Sequence, residues 1–105
     1  MDHEYFVYIL TNKQRSVLYI GMTNNIERRF YEHQTKSVPG FTEEYNLNCL
    51  ILLEQTADVW SALEREKQLK RWSRAKKEWL ISQTNPRWNN LAEQFQFEDL
   101  SMGSR

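Results

Sequence analysis

Tyr8, Tyr19, Arg29, His33 and Glu66 are the side chains in this sequence whose types and spacing could do chemistry together. Tyr8 and Tyr19 stand in two short runs, "YFVYILTN" and "VLYIG", rich in β-branched and aromatic residues. Such runs read as strands, and the polar "TNKQRS" between them is short enough to make an antiparallel hairpin. In the helical stretch that follows, Ile26 and Phe30 mark an apolar stripe. Arg29 and His33 share its face four residues apart. Arg28 points elsewhere, toward solvent. Glu66 repeats the oddity on a second helix, in the middle of a stripe made by Val59, Ala62, Leu63 and Leu69. Its neighbours Arg65, Lys67 and Gln68 lie off that face. A carboxylate in an apolar stripe is costly unless it is paired or holds a metal.

Two explanations compete at this point. In the bland one, Arg29 and Glu66 form a buried structural ion pair, His33 is a satisfied core histidine, and the tyrosines are packing residues with a wet hydroxyl. In the other, the group is a constellation for phosphodiester hydrolysis. That reaction needs a base for water, a cation for the pentavalent phosphate and an anchor for one metal ion.

The elements that would position these residues follow from pattern. Strands are expected at Tyr5–Asn12, Val17–Gly21 and Leu47–Glu54. A helix is expected from about Asn25 to about Thr35, capped by Asn24 with Glu27 as its capping-box partner. "SVPGF", at Ser37–Phe41, breaks it. Asp58 or Ser61 caps the next helix, which runs to about Arg71. Ser73 restarts a further helix that ends before Asn85-Pro86. The order predicts an α+β fold, a small three-stranded antiparallel sheet flanked by helices. Residues 1–92 form the domain, and 93–105 form a polar acidic tail with Phe95 and Phe97 as docking points.

With 105 residues there is room for one core only. Four tryptophans, five tyrosines and five phenylalanines supply enough buried area to fill it without staples. Cys49 is alone, which excludes an internal disulfide and a cysteine-based metal cluster, and its apolar surroundings predict an inert buried thiol. "MDHEYF" does not resemble a secretory leader, and no apolar run reaches the ~18 residues of a membrane span. A cytoplasmic protein without membrane contact is expected. The net charge is zero, which argues against a general nucleic-acid coat. Yet Glu64–Glu78, "EREKQLKRWSRAKKE", holds seven Lys/Arg against three Glu, a local basic surface fit for phosphate contact.

Taken in order, "VYI" at Val7–Ile9, "YIG" at Tyr19–Gly21, Arg29 and the helical Glu66 resemble the GIY-YIG nuclease superfamily. "YIGMTNNIERRFYEH" and "EKQLKRWSRAKKEWLI" are similar to its small stand-alone group. The late "NPRWNNL" resembles the end of the nuclease domain in the incision subunit of bacterial excision repair. The resemblance runs from about Tyr5 to about Leu91. It implies a metal-dependent DNA endonuclease, with Tyr19 as general base and Tyr8 beside it. Arg29 would stabilise charge on the scissile phosphate, and Glu66 would hold a single Mg²⁺ or Mn²⁺. His33 would tune or assist the base. Gly21 would let backbone approach the site, and Asn89 would organise the pocket. Arg65, Lys70, Arg71, Lys76 and Lys77 are the candidate DNA contacts. Phe6 departs from the first motif's glycine. Met22 stands where the excision-repair subunit has a lysine, so one phosphate-facing charge is missing. No attached DNA-binding domain is seen, which points to structure-selective cutting or recruitment by a partner protein. A non-catalytic nucleic-acid-binding or adaptor domain is the alternative.

Overall fold

The computed structural model describes residues 3–35 and 46–94. Within them, β1 (Tyr5–Thr11) and β2 (Leu18–Thr23) form the hairpin, followed by α1 (Ile26–Gln34), β3 (Cys49–Thr56), α2 (Val59–Arg71), α3 (Arg74–Thr84) and a short α4 (Leu91–Gln94). The sheet order is β2-β1-β3, antiparallel throughout. This is the expected α+β architecture. "SVPGF" and the phenylalanines of the tail lie outside the described residues, and α4 runs across residue 92.

β1 is central and covered on both faces, which is why its sequence is apolar without alternation. Val7 and Ile9 join Ile20, Ile51, Leu52, Ala62, Leu69 and Ile81 on the face covered by α2 and α3. Tyr8 and Leu10 join Ile26, Phe30, Leu47, Leu50 and Ala92 on the other. The period-two register of β1 therefore places Tyr8 on the α1 face.

Strand ends differ from the sequence reading by one or two residues, and the ladder explains the extensions. β2 continues past Gly21 because Met22 pairs with Val7 and Thr23 with Phe6. β3 starts at Cys49 and continues past Glu54 because Gln55 and Thr56 pair with Phe6 and Tyr5. Leu47 is fully buried but precedes the strand. The cap of α1 also shifts by one. The Asn25 side chain, not that of Asn24, accepts from the Arg28 N–H at 3.1 Å, and the Thr23 hydroxyl accepts from the Asn25 N–H. Glu27 thus falls at the second helical position, one short of a capping box. At α2 the choice resolves to Asp58, which accepts from the N–H groups of Trp60 and Ser61 and from the Ser61 hydroxyl.

Between β1 and β3 the register slips at Ile9/Leu10, leaving Ile51 as the extra residue of a β-bulge. Asn85, 4% exposed, satisfies the local backbone: its amide donates to the Ile51 carbonyl at 3.1 Å and the Asn89 carbonyl at 2.9 Å. Its oxygen accepts from the Asn89 N–H at 3.0 Å. Truncation to alanine strips buried polar groups of their partners, each worth about 1 kcal/mol or more. We expect Asn85→Ala to cost about 2–3 kcal/mol, a fall of roughly 10 °C in Tm by thermal melting.

Candidate active site

Tyr8 faces Gly21 across the β1–β2 ladder. A Cβ built on Gly21 would overlap the phenol ring and hydroxyl of Tyr8. The space that glycine leaves is therefore filled by Tyr8 itself, rather than by an approaching ligand. This is how the strand pair seats the ring flat over β2, with only 1% of the residue exposed.

Around that ring the predicted residues do converge. The Tyr8 oxygen lies 3.1 Å from Nε2 of His33. The His33 ring meets Tyr19 edge-on at 4.9 Å between centroids and Tyr8 at 5.9 Å, while the two tyrosines stack at 6.5 Å. Arg29 is a near neighbour of the Tyr8 hydroxyl. Burial pushes the Tyr8 phenol up to about 12, and the nearby Arg29 only partly offsets it. Tyr8 is thus a neutral phenol at physiological pH, placed to orient rather than to take up a proton. Tyr19 is half-buried and less enclosed than Tyr8.

His33 is fully buried, and burial, reinforced by the Arg29 charge, lowers its pKa to about 4. It is neutral at pH 7. Its other ring nitrogen, Nδ1, is buried and has no hydrogen-bond partner among the described residues. The sign of the linkage follows. The unfolded imidazole binds a proton below about 6.5 and the folded one only below about 4. The contribution is complete above about 6.5 and falls with pH at about 1.4 kcal/mol per unit down to about 4. Urea unfolding across pH 4–7 should show this slope in wild type and a flatter one in His33→Gln.

Arg29 and Glu66 do not pair with each other. Arg29, its side chain 33% exposed, bonds Glu32 at 3.0 Å one turn along its own helix. Glu66, its side chain 20% exposed, pairs with Lys70 at 3.1 Å. The buried structural ion pair is therefore corrected to two separate rim pairs, each within one helix. Glu66 still lies in electrostatic range of the Tyr8 hydroxyl, whose ionisation it opposes. Arg29 on α1 and Glu66 on α2, helices that cover opposite faces of the sheet, both act electrostatically on that hydroxyl.

The basic residues divide. Arg65, expected off the inward face, is half-buried and forks onto Glu54 of β3 at 2.8 and 2.9 Å, with its guanidinium 5.3 Å from the Trp72 ring centre. Lys76 covers the same ring at 4.2 Å. Lys70 is held by Glu66, Arg71 is exposed and Lys77 half-buried. Asn89 is exposed and contributes backbone groups to Asn85; the asparagine side chains that organise this turn are Asn85 and Asn90. Asn90 accepts from the N–H groups of Leu50 and Ala92, both at 3.1 Å. Met22 packs against the α2–α3 core, on the face opposite Tyr8.

Among the described residues, no three His, Cys, Asp or Glu side chains gather as a metal cage. A single partly exposed carboxylate suits Mg²⁺, which keeps its waters and uses one or two carboxylates together with substrate phosphate. Glu66 fits that donor set. No helix among the described residues is long and apolar enough to cross a membrane.

Known proteins carry the same pattern. The model of the GIY-YIG catalytic domain matches residues 4–78. A UPF0213 protein of Syntrophus aciditrophicus is 40% identical over 82 residues, covering 77% of this chain and 92% of that one. Another, of Natronomonas pharaonis, is 34% identical over 82 residues, covering 78% and 95%. The solution NMR structure of a UPF0213 protein from Bacillus halodurans superimposes with a TM-score of 0.56 at 28% identity, covering 86% of this chain and 95% of its own.

Proposed function

Because this chain belongs to the GIY-YIG catalytic-domain family, we propose that it is a metal-dependent DNA endonuclease. It would be structure-selective or recruited by a partner protein, working in DNA repair or processing in the cytoplasm. The observation that carries this reading is the convergence of Tyr8, Tyr19, His33 and Arg29 on one point, with Glu66 in electrostatic range.

In this reading Tyr19 takes the proton of the attacking water, being the less enclosed of the two tyrosines. Tyr8 holds Arg29 and His33 in register with it. The water oxygen bonds to phosphorus, the bond to the 3′ oxygen breaks, that oxygen takes a proton from solvent, and the products are a 3′ hydroxyl and a 5′ phosphate. Arg29 meets the charge that develops on the non-bridging oxygens. Its guanidinium has five donors, so it can reach phosphate as it shifts from Glu32. A divalent ion on Glu66 would supply Lewis-acid stabilisation at the leaving 3′ oxygen. Lys70 would then give up its pair with Glu66.

The competing reading, a non-catalytic binding or adaptor domain, draws on the zero net charge. Labelled flap, fork, duplex and single-stranded DNAs incubated with Mg²⁺, Mn²⁺ or EDTA separate the two. The nuclease reading expects metal-dependent products on at least one branched substrate. Retention of every substrate intact, with binding unaffected by EDTA, would favour the adaptor.

A further inference from the structure

Trp60 is 71% exposed, in the first turn of α2. It heads a stripe at helical spacing, Trp60, Glu64, Lys67 and Arg71, on the side of α2 turned away from buried Ala62 and Leu69. A groove of about 560 Å³ follows the same side, lined by Ser61, Glu64, Arg65, Lys67, Gln68 and Arg71. Of its cations, Arg65 is neutralised by Glu54. Lys67 and Arg71 have no ion-pair partner among the described residues, so the groove presents them beyond a bare indole. From Trp60 to Arg71 the helix rises about 16 Å.

This combination selects its occupant. A duplex could meet Lys67 and Arg71 but hides its base faces in the stack. An acidic peptide could meet the cations but has no general use for an exposed indole. An unpaired strand uses both: a base lies on the indole while phosphates meet the cations. Ser61 and Gln68 add neutral hydrogen-bonding groups. Glu64 opposes phosphate at mid-groove but accepts from exocyclic amines of bases.

We propose that the outer face of α2 is a track for single-stranded nucleic acid, with Trp60 as its stacking platform and Lys67 and Arg71 as its phosphate contacts. The track is separate from the tyrosine cluster and shares α2 with Glu66.

The test is fluorescence anisotropy with a labelled homopyrimidine oligonucleotide in EDTA, so that cutting plays no part. Trp60→Ala should weaken binding about tenfold, and Trp60→Phe should restore most of it. Lys67→Ala should reduce the slope of log affinity against log salt by about 0.7. On a blunt duplex Trp60→Ala should change nothing. Both side chains are exposed, so thermal melts should match wild type and exclude misfolding as the cause. Equal single-strand affinity of wild type and Trp60→Ala would overturn the track. So would the absence of any single-strand binding by wild type, which would leave the face to an acidic protein partner. Binding in EDTA and metal-dependent cutting are read separately, so failure of one leaves the other standing.

Discussion

Glu66→Gln should lower DNA cutting by at least about a hundredfold while leaving Tm within about 3 °C of wild type. The two halves of this expectation have different sources. The amide keeps the shape but loses the charge that would anchor a divalent ion. Among the described residues the only ion pair lost is that with Lys70, within one helix, and Lys70 is 55% exposed. Pairs of that kind contribute about 0.3–0.5 kcal/mol. A carboxylate buried as half of a structural pair would instead cost about 3–5 kcal/mol when neutralised. Parallel cutting assays and thermal melts decide it: a steep fall in Tm with cutting intact would return Glu66 to the scaffold.

Gly21→Ala has the second large effect, and it acts through Tyr8. The new methyl would occupy the volume of the phenol ring and hydroxyl. Tyr8 is fully buried, so its ring has no free space to swing into. Overpacking of this kind costs about 1–3 kcal/mol, or roughly 5–20 °C in a domain of this size. Displacing the ring also breaks the hydrogen bond to His33 and moves the hydroxyl away from Arg29, so cutting should fall with stability. The cause can be isolated by urea unfolding in a double-mutant cycle. In a Tyr8→Ala background the ring is gone, and Gly21→Ala should then cost little. The same cost in both backgrounds would show that the overlap is not responsible.

What could be read from sequence divides along a physical line. β1, α2 and α3 were legible because each carries a local signal: an unbroken apolar run for a strand covered twice, and Asp58 and Ser73 as caps. The placement of Tyr8, Tyr19, Arg29 and His33 around one point was legible too. Strand alternation and helical spacing fix which face each residue takes. Partners across the fold were not. Arg65 was expected off the inward face because nothing local reveals that β3 places Glu54 beside it. The bland reading pairs Glu66 with Arg29, yet each takes a carboxylate or amine one turn away on its own helix. Short-range pairs at three and four residues were available in the sequence as Glu32 and Lys70, and could have been preferred. The strand ends and the α1 cap missed by one or two residues. There the deciding groups, the Phe6 ladder and the Thr23 hydroxyl, outweigh local preference. The role of Asn85 had no sequence signal, since it answers a β-bulge that only the register of β1 and β3 creates.

The central claim is that Arg29 faces the tyrosine cluster because a phosphate meets it there. Nicking of supercoiled plasmid by wild type and Arg29→Ala, with Mg²⁺ and with EDTA, tests it most directly. The account predicts nicked circles from wild type with Mg²⁺, none with EDTA, and a loss of at least about a hundredfold in Arg29→Ala. Nicking by Arg29→Ala at the wild-type rate would contradict it.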